Sequence, residues 1–161
     1  MKKKFFQHTI YDIQYTLDGF TLIELLVVIS IIGILAALSL ASFTTSQKQA
    51  RDTQRKSDLS QYRSSLESYA NANNGLFPVQ ALAVSASSTL CTALSLTGCP
   101  EDPKSTISTY KYCSNVSGTD YVLWSTLENV GSTKWTVCSD GKSGTSATTP
   151  TCGGSFNCNL P

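Results

Sequence analysis

The stretch GFTLIELLVVISIIGILAALSL, residues 19–40, carries a single acid, Glu24, inside an otherwise uncharged apolar run. Residues 25–43 are 19 consecutive uncharged positions, which at ~1.5 Å per residue make about 29 Å of helix, the hydrocarbon thickness of a bilayer. The run is therefore read as a membrane-crossing helix. Its N-terminal flank is not that of an ordinary secretory signal. Lys2, Lys3 and Lys4 are followed by a polar stretch containing Asp12 and Asp18, whereas a signal peptide joins its basic end closely to a short apolar region and a small-residue cleavage site. The three lysines predict a cytoplasmic N-terminus and an exported chain beyond Phe43. A carboxylate at the centre of a membrane helix costs about 2.5–3.5 kcal/mol, and less near the boundary. Glu24 either sits among headgroups or meets a positive partner. Cutting between Gly19 and Phe20 would make one, the new α-amine of Phe20. Pairing between neighbouring molecules would fix axial register where apolar contacts alone permit sliding.

From Thr44 the composition turns polar while the helical period continues. Leu59, Tyr62, Leu66, Tyr69 and Ala70 fall on one face. Lys48 with Asp52, Asp52 with Lys56, and Arg63 with Glu67 are four apart and are placed on the opposite, wet face. Gly75 suits a left-handed cap and Pro78 blocks continuation, so one helix is expected from about residue 21 to residue 74. A short helix or loop follows over 85–97. TYKYCS (109–114), DYVLWSTL (120–127) and KWTVCS (134–139) alternate with turn-forming NVSGT and ENVGST and predict an antiparallel sheet of three or four strands on the helix. Tyr62, Tyr69, Trp124 and Trp135 are read as packing residues, and the Asn115-Val116-Ser117 sequon as a hairpin turn. The Ser-, Thr- and Gly-rich tail from Ser143 is expected as loop. The fold class is α+β: a long N-terminal helix, apolar then amphipathic, on a small antiparallel sheet with a disulfide-rich C-terminal region. Four segments result: a leader (1–19), a membrane or filament-core helix (20–43), an amphipathic helix packed on the head (44–75) and a globular head (76–161).

The six cysteines, Cys91, Cys99, Cys113, Cys138, Cys152 and Cys158, lie in the second half of the chain at gaps that match no common zinc template. An even number in a small exported domain points to disulfides. The sequential pairing Cys91–Cys99, Cys113–Cys138 and Cys152–Cys158 is the expected one, among fifteen arithmetically possible. With 161 residues, a formal charge of +1 and no basic block beyond Lys2–Lys4, a large multidomain enzyme is excluded and nucleic acid is not an expected partner. The one histidine is His8, in the segment that cleavage would remove, so the mature chain can build neither a Ser/His/Asp nor a Cys/His centre. After Gly19 the chain has nine basic and nine acidic side chains. That balance suits close lateral packing of identical heads.

Gly19, Phe20, Thr21, Leu22, Ile23 and Glu24, followed by an unbroken apolar helix, resemble the N-terminal signature of type IV pilins and of the pseudopilins of type II secretion. ARDTQRKSDLSQYRSSLESYANANNGLFP (50–78) is similar to their stalk and its Asn-Gly-x-x-Pro exit, and CPEDP, YKY and DYVLWSTLE resemble their strand region more loosely. The resemblance implies a structural, non-enzymatic subunit. A membrane prepilin peptidase would cut after Gly19 and methylate Phe20, and Glu24 would meet the Phe20 amine of the adjacent subunit as a helical homopolymer grows from membrane lipid at an assembly platform driven by a motor. The subunit would begin as a single-pass cytoplasmic-membrane protein with an exported head and end in an extracellular or periplasmic filament. Asp18 stands where the family often has a basic residue, and Ala41 where many pilins have a helix-kinking proline. Gly33 matches the family. No cofactor is expected; Asp140 with Gly141, near Asp120, is a candidate contributor to the calcium site known in some major pseudopilins, and a solvated turn is the preferred reading. A pilin, a pseudopilin, an anchored binding module that never polymerises and a soluble protein cut near Ala41 remain distinct readings.

Overall fold

The computed structural model describes residues 19–106, 109–131, 133–158 and 160; the expected leader, with Lys2–Lys4, Asp12 and Asp18, lies outside them. The chain divides into two units, Met1–Leu40 and Ala41–Pro161.

In the first unit, helix α1 (Leu22–Ala72) begins after non-helical Gly19, Phe20 and Thr21. Its β-branched run of Val27, Val28, Ile29, Ile31 and Ile32 is a poor helix former in water. A bilayer reverses that preference, because only an intra-segment ladder satisfies every backbone group there. The helix is long and apolar enough to cross a membrane. Ser30 and Ser39 return their hydroxyls to the carbonyls of Leu26 (2.7 Å) and Leu35 (2.9 Å), which satisfies both donors within the helix.

In the second unit, α1 continues to Ala72 and then stops as its exit residues require. Asn74 and Gly75 adopt positive φ (57° and 81°) and the Gly75 N–H donates to the Ala70 carbonyl at 2.8 Å, a left-handed cap. Five antiparallel strands follow in simple order: β1 (Val84–Ser85), β2 (Lys111–Ser114), β3 (Tyr121–Thr126), β4 (Lys134–Cys138) and β5 (Ser143–Ser146). Helix α2 (Ala86–Ala93) sits between β1 and β2. The three expected strand segments form β2, β3 and β4. The sheet gains two more: Val84–Ser85 pairs with Lys111–Tyr112, and Ser143–Ser146, expected as loop, pairs with Lys134–Val137 as an edge strand. Four Ser, Gly and Thr residues supply no apolar period, so this strand is held by its backbone ladder rather than by patterning.

The register sorts the sheet's side chains. Tyr112, Leu123 and Val137 stand in one row and pack with Leu59, Tyr62 and Leu66 of α1 in the main core. Each such aliphatic chain contributes roughly 1.5–3 kcal/mol on burial. Tyr62 is buried and its hydroxyl donates to the Pro100 carbonyl at 2.7 Å, while Tyr69 is half-buried. Cys113, Val122 and Cys138 form the adjacent row, which faces the other way because successive side chains alternate. There Cys113, Val122 and Trp124 make a second, smaller core with Cys152, Phe156 and Cys158.

That row corrects the expected disulfide pairing. Cys113 and Cys138 lie on opposite sides of β3, two strand spacings or roughly 9–10 Å apart, beyond the reach of a disulfide. Each bonds instead to the tail that crosses this face: Cys113 to Cys152 and Cys138 to Cys158, with Cα separations of 5.7 and 5.9 Å. Cys152 and Cys158 flank an antiparallel bridge between Thr151 and Asn157 and are not bonded to each other. Cys91–Cys99 forms as expected. Loop-closure entropy makes the two tail bonds worth roughly 3–4 kcal/mol each.

Candidate processing and assembly site

Gly19 and Phe20 lie in exposed, non-helical backbone before α1, and Phe20 is 90% exposed. A peptide bond there is open to a protease without unwinding the helix. Immediately after it, Thr21 and Glu24 close a reciprocal cap: the Thr21 N–H and Oγ donate to Glu24 Oε2 (2.9 and 2.7 Å), and the Glu24 N–H donates to Thr21 Oγ at 3.2 Å. Thr-x-x-Glu is a capping box, a local pattern visible in the residues themselves and separate from the pairing expected of Glu24 between molecules. Glu24 thus has a local task at the positive end of the helix dipole, and the cap positions the carboxylate within one turn of Phe20. Beyond it the large side chains Leu25, Leu26, Val27 and Val28, and those that follow to Leu38, are all exposed in the single chain. Among the described residues nothing covers this surface.

The head is tied to its helix by a buried charged cluster that the sequence reading did not find. Arg55 is wholly buried. Its Nε and Nη2 donate to Asp102 (2.7 and 2.8 Å), its Nη1 to Asp52 (2.8 Å), and its Nη2 also lies 2.8 Å from Glu128. Arg51 forks onto the same Glu128 at 2.9 and 2.7 Å. Asp52 accepts the backbone N–H groups of Glu128 and Asn129, both at 2.9 Å. Asp52 is therefore buried, not on the wet face: its partner is Arg55, three residues on, rather than Lys48 or Lys56. Hydrogen bonds donated by Arg51, and then by Arg55, hold the Glu128 carboxyl down at about 2; those that Arg55 itself donates to Asp102, above all, hold its guanidinium far up its range. Every acid of the cluster is saturated by donors, so the cluster acts as a joint. The signal that was available is the spacing of Asp52, Arg55 and Leu59, which share a helical face.

Of the three expected pairs four apart on the helix, Arg63–Glu67 forms among the described residues, at 2.8 Å. Lys56 instead lies 4.6 Å from the Trp135 ring centroid, a cation–π contact, and Trp135 is half-buried beneath it. Tyr62, packed in the core, has its hydroxyl pushed up to about 12 by burial. Asp140 Oδ1 accepts the Lys142 N–H (3.0 Å), and Asp120 Oδ2 accepts Asn115 Nδ2 (2.8 Å) and Thr119 Oγ (2.9 Å). Both carboxylates thus fix turns, and the Asn115 side chain is part of its hairpin. Among the described residues, no group of three or more His, Cys, Asp or Glu side chains is placed to hold a metal ion.

With this geometry in place, the comparisons bear on the N-terminal segment alone. Residues 18–40 match the prokaryotic N-terminal methylation motif, the signature of type IV pilins and pseudopilins. No curated protein and no solved structure matches the chain.

Proposed function

We propose that this chain is the structural subunit of a type IV pilus-like filament, cut after Gly19 by a prepilin peptidase and assembled from the membrane through its apolar helix, with Glu24 paired to the Phe20 amine of a neighbouring subunit. The observation that carries the proposal is the methylation motif lying over a fully exposed apolar helix whose one acid is held at its first turn. Fifteen large apolar side chains lie from Phe20 to Phe43. At about 1.5–3 kcal/mol each, exposing them to water would cost tens of kcal/mol. The subunit must therefore pass from bilayer directly into a filament core, one apolar setting to another, while packing and the charged pair choose its position and an external motor at an assembly platform does the work. The role is structural and requires no catalysis by the subunit.

The Asn-Gly-x-x-Pro helix exit favours a second reading, a pseudopilin of type II secretion; three disulfides in the head favour a filament that survives outside the cell. Extended surface filaments labelled by antibody to the head select the first, and loss of protein export on deletion selects the second. The test common to both is mass spectrometry of the membrane-extracted protein, which should start at a methylated Phe20 and lack six thiol hydrogens, together with a Glu24→Ala variant that still inserts but no longer assembles. A native chain beginning at Met1 within normal filaments, or filaments unchanged by Glu24→Ala, refutes the proposal. An anchored module that never polymerises predicts no cleavage after Gly19, no filaments, and function that tolerates Glu24→Ala.

A further inference from the structure

We propose that the end of the head unit at which α1 enters is a docking surface for anionic phospholipid headgroups on the exported face of the membrane. The proposal rests on the membrane-spanning reading of residues 20–43 and is independent of polymerisation. Its placement follows from the buried joint. Arg51 and Arg55 meet Glu128, just after β3, and Asp102, ahead of β2. The loop between β3 and β4, the start of β4 and the turn at Asp102 therefore gather at the end of the head that is nearest Phe43 along the helix.

Four lysines belong to this end: Lys48 on α1, Lys104, whose backbone N–H donates to Asp102 at 2.8 Å, Lys111 opening β2 and Lys134 opening β4. Lys48 and Lys104 are exposed and the other two half-exposed. None forms an ion pair among the described residues. The acids here are turned inward: Asp52 and Asp102 are buried and Glu128 has a side-chain exposure of 9%, all three on arginines. The exposed acid at this end is Glu101. An independent feature accompanies the lysines. Val130, in the loop between β3 and β4, is 56% exposed, and the loop is pinned to the helix one residue earlier by the Asn129 N–H on Asp52. An exposed apolar tip within a rim of unpaired lysines is the chemistry of a headgroup contact: ammonium groups meet phosphates while the apolar side chain enters the acyl boundary.

The occupant follows from continuity. The apolar run ends at Phe43, and Lys48 comes five residues later, about 7.5 Å along a helix. Lys48 is thus within a Debye length of the headgroup layer at physiological salt. Extraction into a filament must break the contact, so the charge of the surrounding lipid would set how readily a subunit leaves.

The test uses the full chain in single-copy nanodiscs of phosphatidylcholine, with or without phosphatidylglycerol. Lysines are acetylated in short pulses and read by peptide mass spectrometry. Lys142, in the turn between β4 and β5 and hence at the opposite end of the head, is the internal control. In anionic discs Lys48, Lys104 and Lys134 should react about threefold more slowly or less, relative to Lys142, and high salt should abolish the difference. Val130→Asp, in an exposed loop, should weaken the protection. Equal rates in the two lipids overturn the proposal, as does slowing of Lys142 to the same extent. Protection that appears in both lipids only when discs hold two copies assigns the surface to a neighbouring subunit and also overturns it. A protected chain that never forms filaments would refute the filament reading alone, and an unprotected chain that does form them would refute this one alone.

Discussion

Replacing Arg55 by Met removes the one cation shared by three acids. The guanidinium is wholly buried, with bonds of 2.7–2.8 Å to Asp102 and Asp52 and a 2.8 Å contact to Glu128, and the Asp102 side chain it leaves behind is itself only 1% exposed. Breaking a buried ion pair from one side typically costs about 3–5 kcal/mol, because the remaining charge stays desolvated without a partner. For a head of this size the loss corresponds to a melting temperature lower by roughly 10–20 °C. The assay is guanidinium unfolding of the full chain in detergent micelles with disulfides intact, followed by tryptophan fluorescence; both tryptophans, Trp124 and Trp135, lie in the head unit. The dependence on pH supplies a second check with a definite sign. In the native protein the Glu128 carboxyl is held at about 2, below its ordinary value near 4.3, so the joint contributes fully above that ordinary value and is lost as pH falls toward 2. In Arg55→Met the orphaned acids are disfavoured as anions and hold protons more tightly folded than unfolded. Their penalty therefore eases as pH falls, and the deficit of the variant should shrink between pH 7 and about pH 4. Arg55→Lys, which keeps the charge but loses the fork, should fall between the two. A deficit under about 1 kcal/mol at pH 7, or one that does not change with pH, would refute the view that these acids depend on Arg55.

Non-reducing peptide mapping should recover Cys113 with Cys152 and Cys138 with Cys158; a Cys113–Cys138 peptide would contradict the strand register. Gly118→Ala should destabilise the head by about 1–3 kcal/mol, because Gly118 has φ +71° and an added Cβ would lie 2.8 Å from the Phe77 carbonyl oxygen. Unchanged thermal stability would show that the helix exit and the hairpin between β2 and β3 do not approach so closely.

The parts of this fold that were legible in the sequence are those with a period or a stop signal. The apolar run, the helical face of Leu59, Tyr62 and Leu66, the exit at Gly75 and the three aromatic, β-branched strands each announce themselves locally. What was missed depends on distant partners. β5 has no side-chain pattern and exists because β4 offers an unpaired edge. The disulfides follow from a row of residues across three strands, and sequence separation carries no information about which face a cysteine occupies. Charges four apart on a helix usually face water, which is the expectation for Asp52; its burial needs Asp102 and the backbone after β3, brought in from 50 and 76 residues away. At the N-terminus the reverse held. The capping box of Thr21 and Glu24 is purely local and legible in the residues, and it is compatible with the long-range pairing that an acid in an apolar run suggests.

The nine bases and nine acids that follow Gly19 invite the conclusion that the heads are neutral and can pack laterally without electrostatic cost. Placement changes that conclusion. Asp52, Asp58 and Asp102 are buried, and Glu128 is bound by two arginines of which one, Arg55, is buried with it. Asp58 accepts the Tyr110 hydroxyl at 2.5 Å and so does not face water either. More negative than positive charge is thus taken inside, and the surface left to solvent is basic although the chain is not. Heads brought side by side would meet lysine to lysine unless their contacts are offset toward Glu101, Glu67 or Asp140, the exposed acids. Lateral packing in any assembly of this chain is therefore expected to weaken at low ionic strength, the opposite of what attraction between complementary faces would give.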